Sequence, residues 1–186
     1  KDYVIASDTD SIYLHMGDLV EAVYKGREAT TEGIVSFLNK VCEMELEPYI
    51  ESSYQELAEY VNAYDQKMIM KRENIADRGI WTAKKRYILN VWDSEGVRYE
   101  EAKLKIMGIE AIKTSTPAPC RKMLKDAFKI LMSGTEEECI EYIERCRKEF
   151  KSLPPEEVSF PRTASNVEKW FSSADLYGKG CPIHIR

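Results

Sequence analysis

The sequence predicts an α+β fold: an antiparallel sheet with packed helices, followed by a mainly helical portion. Three observations carry that reading. Two short apolar runs, Tyr3-Val4-Ile5-Ala6 and Ile12-Tyr13-Leu14, flank a polar tip, Asp8-Thr9-Asp10-Ser11, the pattern of a tight β-hairpin. From residue 66 to 113 the apolar positions fall in short runs separated by turn residues, the pattern of consecutive antiparallel strands. From Thr116 onward they return at three-to-four spacing behind helix-capping residues.

Each element follows from local chemistry. After the hairpin, Gly17 to Tyr24 has the spacing of a short helix. A longer amphipathic helix opens at Thr30-Thr31-Glu32, with Ile34, Leu38, Val41, Leu46, Tyr49, Ser53, Leu57 and Val61 recurring along one face. Pro48 lies inside it, and proline removes a backbone donor and crowds the preceding turn, so a kink or break is expected there. Met68-Ile69-Met70, Ile80 to Trp92 and Val97 to Met107 read as strands, with a turn at Asp93-Ser94-Glu95-Gly96. Thr116-Pro117 reads as an N-cap followed by proline at the first helical position. That helix ends near Ser133-Gly134, where glycine suits a left-handed cap. Thr135-Glu136-Glu137-Glu138 matches a capping box, and Pro154-Pro155 stops the helix it opens. A shorter helix is expected over Ala164 to Phe171. The boundary between the two portions is expected near 108–117.

Composition narrows the class. No apolar stretch approaches the ~18 residues of a membrane span. The first apolar run is too short for a signal peptide and is interrupted by Asp8. The five cysteines form no C-x-x-C pair and are odd in number, which points to reduced thiols in a cytoplasmic setting rather than a disulfide framework. Net charge is −5, but it is unevenly spread. Residues 1–65 hold 4 basic and 14 acidic side chains, whereas residues 66–125 hold 14 basic and 7 acidic. An acidic stretch beside a basic one fits a metal site beside a polyanion site, and equally a set of dispersed, solvated charges. The chain starts almost at once in a strand, as a fragment of a longer protein would.

Three groups of residues could carry chemistry. Asp8 and Asp10 are two apart, so on a strand both carboxylates point to one side, where they could hold a divalent cation. A turn in which the acids cap backbone amides is the plainer alternative. Lys84-Lys85-Arg86-Tyr87, placed on one strand, would alternate Lys84 and Arg86 with Lys85 and Tyr87 on opposite faces. Such a strand could hold phosphate, or could be an edge protected by lysine. Glu73 could add a third acid, or form a surface ion pair. The histidines His15 and His184 lie in no metal spacing.

These motifs, in this order, resemble the family B DNA polymerases. Asp8-Thr9-Asp10-Ser11-Ile12-Tyr13 resembles that family's motif C hairpin, with Ala6-Ser7 standing where the family commonly has Tyr-Gly. Lys84-Lys85-Arg86-Tyr87 resembles its lysine-lysine-arginine-tyrosine motif. The stretches Trp81 to Trp92, Lys103 to Gly108, Lys113 to Pro117 and Cys181 to Arg186 are similar to the replicative polymerases of T-even-type bacteriophages.

The resemblance implies the following. Residues 1–112 would be the C-terminal part of an antiparallel palm and residues 113–186 the helical start of a thumb. The activity would be template-directed nucleotidyl transfer from a dNTP to a primer 3′-hydroxyl, with two Mg²⁺ ions in the complete enzyme. Asp8 and Asp10 would be catalytic, with Asp10 the first ligand, Asp8 the second and Glu73 at most behind them. Lys84, Lys85, Arg86 and Tyr87 would contact primer-template DNA, as would Lys105, Lys113, Arg121 and Lys122. The motif A aspartate, the fingers and the exonuclease would lie outside this chain, leaving it inactive alone. A sliding clamp is a further partner for a full-length protein in the host cytoplasm, and a membrane is none. Two other readings compete: a haloacid-dehalogenase-like phosphatase with Asp8 as nucleophile, which needs a parallel sheet, and a non-catalytic DNA-binding module.

Overall fold

A computed structural model describes residues 2–163 together with 165 and 168. The fold is α+β, and the chain separates into two compact units between Met107 and Gly108. Apart from Ser165 and Glu168, the expected helix over Ala164 to Phe171 lies outside the described residues, as does the segment Cys181 to Arg186.

The first unit opens with the expected hairpin. Strand β1 (Val4–Asp8) pairs antiparallel with β2 (Ser11–Leu14), and Asp8 faces Ser11 across a two-residue tip. Thr9 takes a left-handed φ of 51°, which closes the turn. The Asp10 amide and the Ser11 hydroxyl both donate to the Asp8 carbonyl, at 2.6 and 3.1 Å. Asp10 therefore belongs to the turn and not to a strand. Strand alternation does not set its direction, which corrects the same-face argument.

Helix α1 (Gly17–Tyr24) follows, then α2 (Thr31–Val41), capped by the Thr30 hydroxyl accepting from Gly33 N at 3.1 Å. The break expected from Pro48 takes the form of a π-helical turn, Cys42–Leu46, leading into α3 (Glu47–Tyr60). Proline at the start of α3 has no N–H to give the preceding turn, and the wider turn absorbs the missing bond.

Strands β3 (Asn74–Ala83), β4 (Arg86–Ser94) and β5 (Val97–Met107) form an antiparallel meander with β4 central. Consecutive β4 residues Ile88 and Leu89 are both buried, so both faces of this strand are covered. Val91 and Ile75 extend that core, and Val35 and Ala58 are buried in the helices. The turn between β4 and β5 is Glu95-Gly96, with φ of 52° and 86°. Positive φ at both central residues gives the twist that antiparallel strands need.

Two strand expectations are corrected. Met68-Ile69-Met70 is not a strand, and Met68 and Ile69 are exposed. The run Ile80 to Trp92 is two strands, because Ala83 pairs with Arg86 and Lys84-Lys85 form the turn between them. Lys85 takes a φ of 61°. No glycine, asparagine or proline marks this turn, so a left-handed lysine closes it without a sequence signal.

In the second unit, a 3₁₀ turn at Glu110–Ile112 precedes α4 (Ala118–Ser133), α5 (Glu136–Ser152) and the short α6 (Pro155–Val158). Ala111 in the 3₁₀ turn is fully buried, and it lines one depression together with Ala118 of α4. This short segment groups with the helices, so the structural division falls five residues before 112/113. Thr116 is not the N-cap: Pro117 holds that place, with no side-chain cap bond, and Thr116 is buried. The capping box at Thr135 forms in full, with Glu138 Oε2 accepting from Thr135 N at 2.9 Å and Thr135 Oγ1 accepting from Glu138 N at 3.2 Å. That carboxylate explains Gly134, whose φ of −97° is not left-handed. A Cβ there would lie 2.5 Å from Glu138 Oε2 and 2.9 Å from the Ile130 carbonyl. Glycine is required for space and not for backbone conformation.

Candidate active site at the hairpin tip

Three aromatic rings from three strands hold the Asp8–Ser11 hairpin against the meander. Tyr13 of β2 meets Trp81 of β3 edge-on, with centroids 5.2 Å apart, and Tyr87 of β4 at 5.4 Å. Trp81 and Tyr87 lie 6.3 Å apart. Edge-to-face pairs of this kind contribute about 0.5–1.5 kcal/mol each beyond the area they bury. Burial, then a side-chain hydrogen bond with Tyr87, pushes the Tyr13 phenol up to about 12. Tyr87 thus packs and hydrogen-bonds within the protein.

Gly79 makes the room for this cluster. A Cβ on it would come 2.7 Å from Cη2 and Cζ3 of Trp81 and 2.8 Å from Cδ2 of Leu89. The indole is rigid, so it would have to move away from Gly79. Gly79→Ala should therefore cost about 1–3 kcal/mol, measured by urea unfolding of the chain. The same variant should broaden or shift the Tyr13 ring resonances. A wild-type midpoint with unchanged Tyr13 signals would show that the ring cluster does not depend on this gap.

The docked hairpin brings Asp8 to the lysine turn. Lys84 Nζ lies 3.9 Å from Asp8 Oδ1, and Lys85 Nζ lies 3.7 Å from Oδ2. Both lysines thus converge on one carboxylate, in place of the opposite faces that a single strand would impose. The Thr9 hydroxyl donates to Asp8 Oδ1 at 3.2 Å. Asp8 is partly covered, whereas Asp10 is exposed at the tip. Arg86 opens β4 opposite Ala83.

Glu73, Lys105, Lys113 and Lys122 stand in ion pairs of their own. Glu73 precedes β3 instead of lying within a strand, and its carboxylate accepts a hydrogen bond from Lys105. That bond holds the Glu73 carboxyl below the usual carboxylate range. The surface ion pair is thus the arrangement found for Glu73, and Lys105 is its partner. In the second unit Lys113 pairs with Glu110 at 3.1 Å and Lys122 with Asp126 at 2.9 Å. Arg121 and Lys122 line a shallow depression of about 450 Å³ with Lys125, Asp126 and Lys129. Much of the basic excess of residues 66–125 is therefore already opposed by carboxylates.

One charged cluster lies outside the candidate site residues that the sequence motifs single out. Asp93 is 1% exposed. It accepts from Arg72, from Arg98 Nε at 3.3 Å and from the Gly96 amide at 3.0 Å. Arg72 also donates to Asn39 of α2, and its backbone amide donates to Glu47 of α3 at 3.1 Å. Arg98 reaches Ser36 Oγ of α2 at 2.6 Å. The three residues tie both helices to the sheet. Only the close spacing of Asp93 and Arg98 across a turn could have hinted at them.

The tip offers hard oxygen donors, Asp8 and Asp10, and no thiol or imidazole belongs to it, a donor set suited to a cation of the Mg²⁺ type. Among the described residues no three histidine, cysteine, aspartate or glutamate side chains gather into a metal-holding group. Two carboxylates alone would leave the shell of such a cation to be completed by further oxygen ligands.

No protein-family profile matches the chain. Over 192 aligned residues it is 38% identical to the DNA-directed DNA polymerase of Escherichia phage RB69, covering 99% of this chain and 21% of that protein. It is 34% identical over 194 residues to the DNA-directed DNA polymerase of Enterobacteria phage T4, covering 100% of this chain and 22% of that protein. The chain spans about a fifth of the length of these curated relatives. From end to end, this chain is related to one segment of the DNA-directed DNA polymerases of bacteriophages.

Proposed function

We propose that the chain supplies part of the palm and the start of the thumb of a family B DNA polymerase, and that its hairpin tip and lysine turn together form one side of the nucleotidyl-transfer site. The observation that carries this reading is the convergence of Lys84 and Lys85 on Asp8, held by the Tyr13–Trp81–Tyr87 cluster. Acids for metal and cations for nucleic acid stand side by side on rigid turns.

In this reading Asp10 and Asp8 hold divalent metal, with Asp10 the more accessible. When bound, Mg²⁺ would lower the pKa of the primer hydroxyl and offset charge on the departing pyrophosphate. Lys84 and Lys85 hold the primer-template end and fix its register, a task that reads no sequence. Arg86 assists them from the base of β4. Tyr87 acts through packing, by keeping the lysine turn against the hairpin. Glu73 holds Lys105 and stands aside from the metal. Lys113, Arg121 and Lys122 are backbone contacts of the thumb. The missing ligands, the fingers and the proofreading site belong to the rest of a longer polymerase, so the chain alone would not extend a primer.

All strand pairs among the described residues are antiparallel, which disfavours the phosphatase reading. Salt dependence tests the nucleic-acid role. Replacing Lys84 and Lys85 by alanine should weaken primer-template binding and reduce the slope of log K against log salt by about one to two counterions. An unchanged slope would place both ammonium groups away from phosphate.

A further inference from the structure

We propose that Asp8 is an internal competitor for the nucleic acid that Lys84 and Lys85 bind: the carboxylate occupies both ammonium groups until a polyanion displaces it. This deepens the reading above and rests on it.

The geometry is specific. Each Asp8 oxygen faces a different lysine, Oδ1 towards Lys84 at 3.9 Å and Oδ2 towards Lys85 at 3.7 Å. The lysine side chains are 77% and 69% exposed, while that of Asp8 is 24% exposed. The ammonium groups are thus open to an incoming phosphate from the solvent side. Asp8 is fixed at the end of β1, and the Tyr13 contacts fix the hairpin. Lys85 takes a left-handed φ of 61° at the facing turn. Two partly exposed, loosely spaced ion pairs are weak enough to exchange and strong enough to tax binding. Exchange also unmasks the Asp8 carboxylate when nucleic acid arrives. Asp10 provides an internal comparison: it lies two residues away on the same tip, and among the described residues it takes part in no ion pair.

The test measures the affinity of the 186-residue chain for a short primer-template duplex, by fluorescence anisotropy at low salt. Asp8→Asn should tighten binding about three- to tenfold, because it frees two ammonium groups. In buffer free of divalent metal, Asp10→Asn removes the same charge from the same tip without freeing a lysine, and should change affinity less than about twofold. In a Lys84→Ala/Lys85→Ala background the gain from Asp8→Asn should vanish. Equal gains from the two asparagine variants would overturn the proposal in favour of plain charge removal. A gain that survives loss of the lysines, or weaker binding by Asp8→Asn, would overturn it as well. In those cases duplex binding itself would leave the polymerase reading standing. Failure of every variant, wild type included, to bind the duplex would remove both.

Discussion

Replacing Asp93 by alanine is expected to destabilise the amino-terminal unit by about 3–5 kcal/mol. Asp93 is 1% exposed and stands between Arg72 and Arg98. Removing one member of a buried ion cluster leaves the others desolvated and unpaired, and that penalty exceeds the worth of the pairs themselves. Arg72, at 11% side-chain exposure, cannot recover its hydration without moving α2 and α3 off the sheet. Urea unfolding read by the fluorescence of Trp81 and Trp92, in a Trp170→Phe background, reports on this unit. A large fall in midpoint with an unchanged m-value is the expected result. A loss below about 1 kcal/mol would mean that the cluster is solvated and that the helices are held by their apolar contacts alone.

The second large effect concerns chemistry. In a full-length polymerase carrying this segment, Asp10→Ala should lower single-turnover nucleotide incorporation about a thousandfold or more, with primer-template affinity changed by less than about threefold. Asp10 is exposed at the turn, so its loss costs the fold little. It forms no ion pair with the lysine turn among the described residues, so DNA binding should survive. A retained single-turnover rate would remove Asp10 from the catalytic set and leave the tip as a structural turn.

The sequence made legible the parts whose chemistry is local. The Asp8–Ser11 tip lies between two apolar runs of strand length, and it forms the expected hairpin. Pro48 forecast the break between α2 and α3, and Thr135 with Glu138 forecast a full capping box. What stayed hidden depends on contacts between distant residues or on turns without turn residues. Lys84-Lys85 closes a hairpin through a left-handed lysine, which no composition rule selects. That single turn redirects both ammonium groups towards Asp8, and strand alternation could not foresee it. Tyr13 meets Trp81 from a distant strand, and Arg72 meets Asp93 across 21 residues. Gly134 has the sequence context of a left-handed cap, whereas the structure needs its missing side chain.

The central claim is that the hairpin tip and the lysine turn act together on one duplex end. Amide chemical-shift mapping of the ¹⁵N-labelled chain, titrated with a primer-template duplex, tests it most directly. The account predicts that the largest shifts fall together on Asp8–Ser11 and on Ala83–Tyr87, saturating at one common concentration. Shifts confined to other surfaces, with both turns left unmoved at saturation, would contradict it.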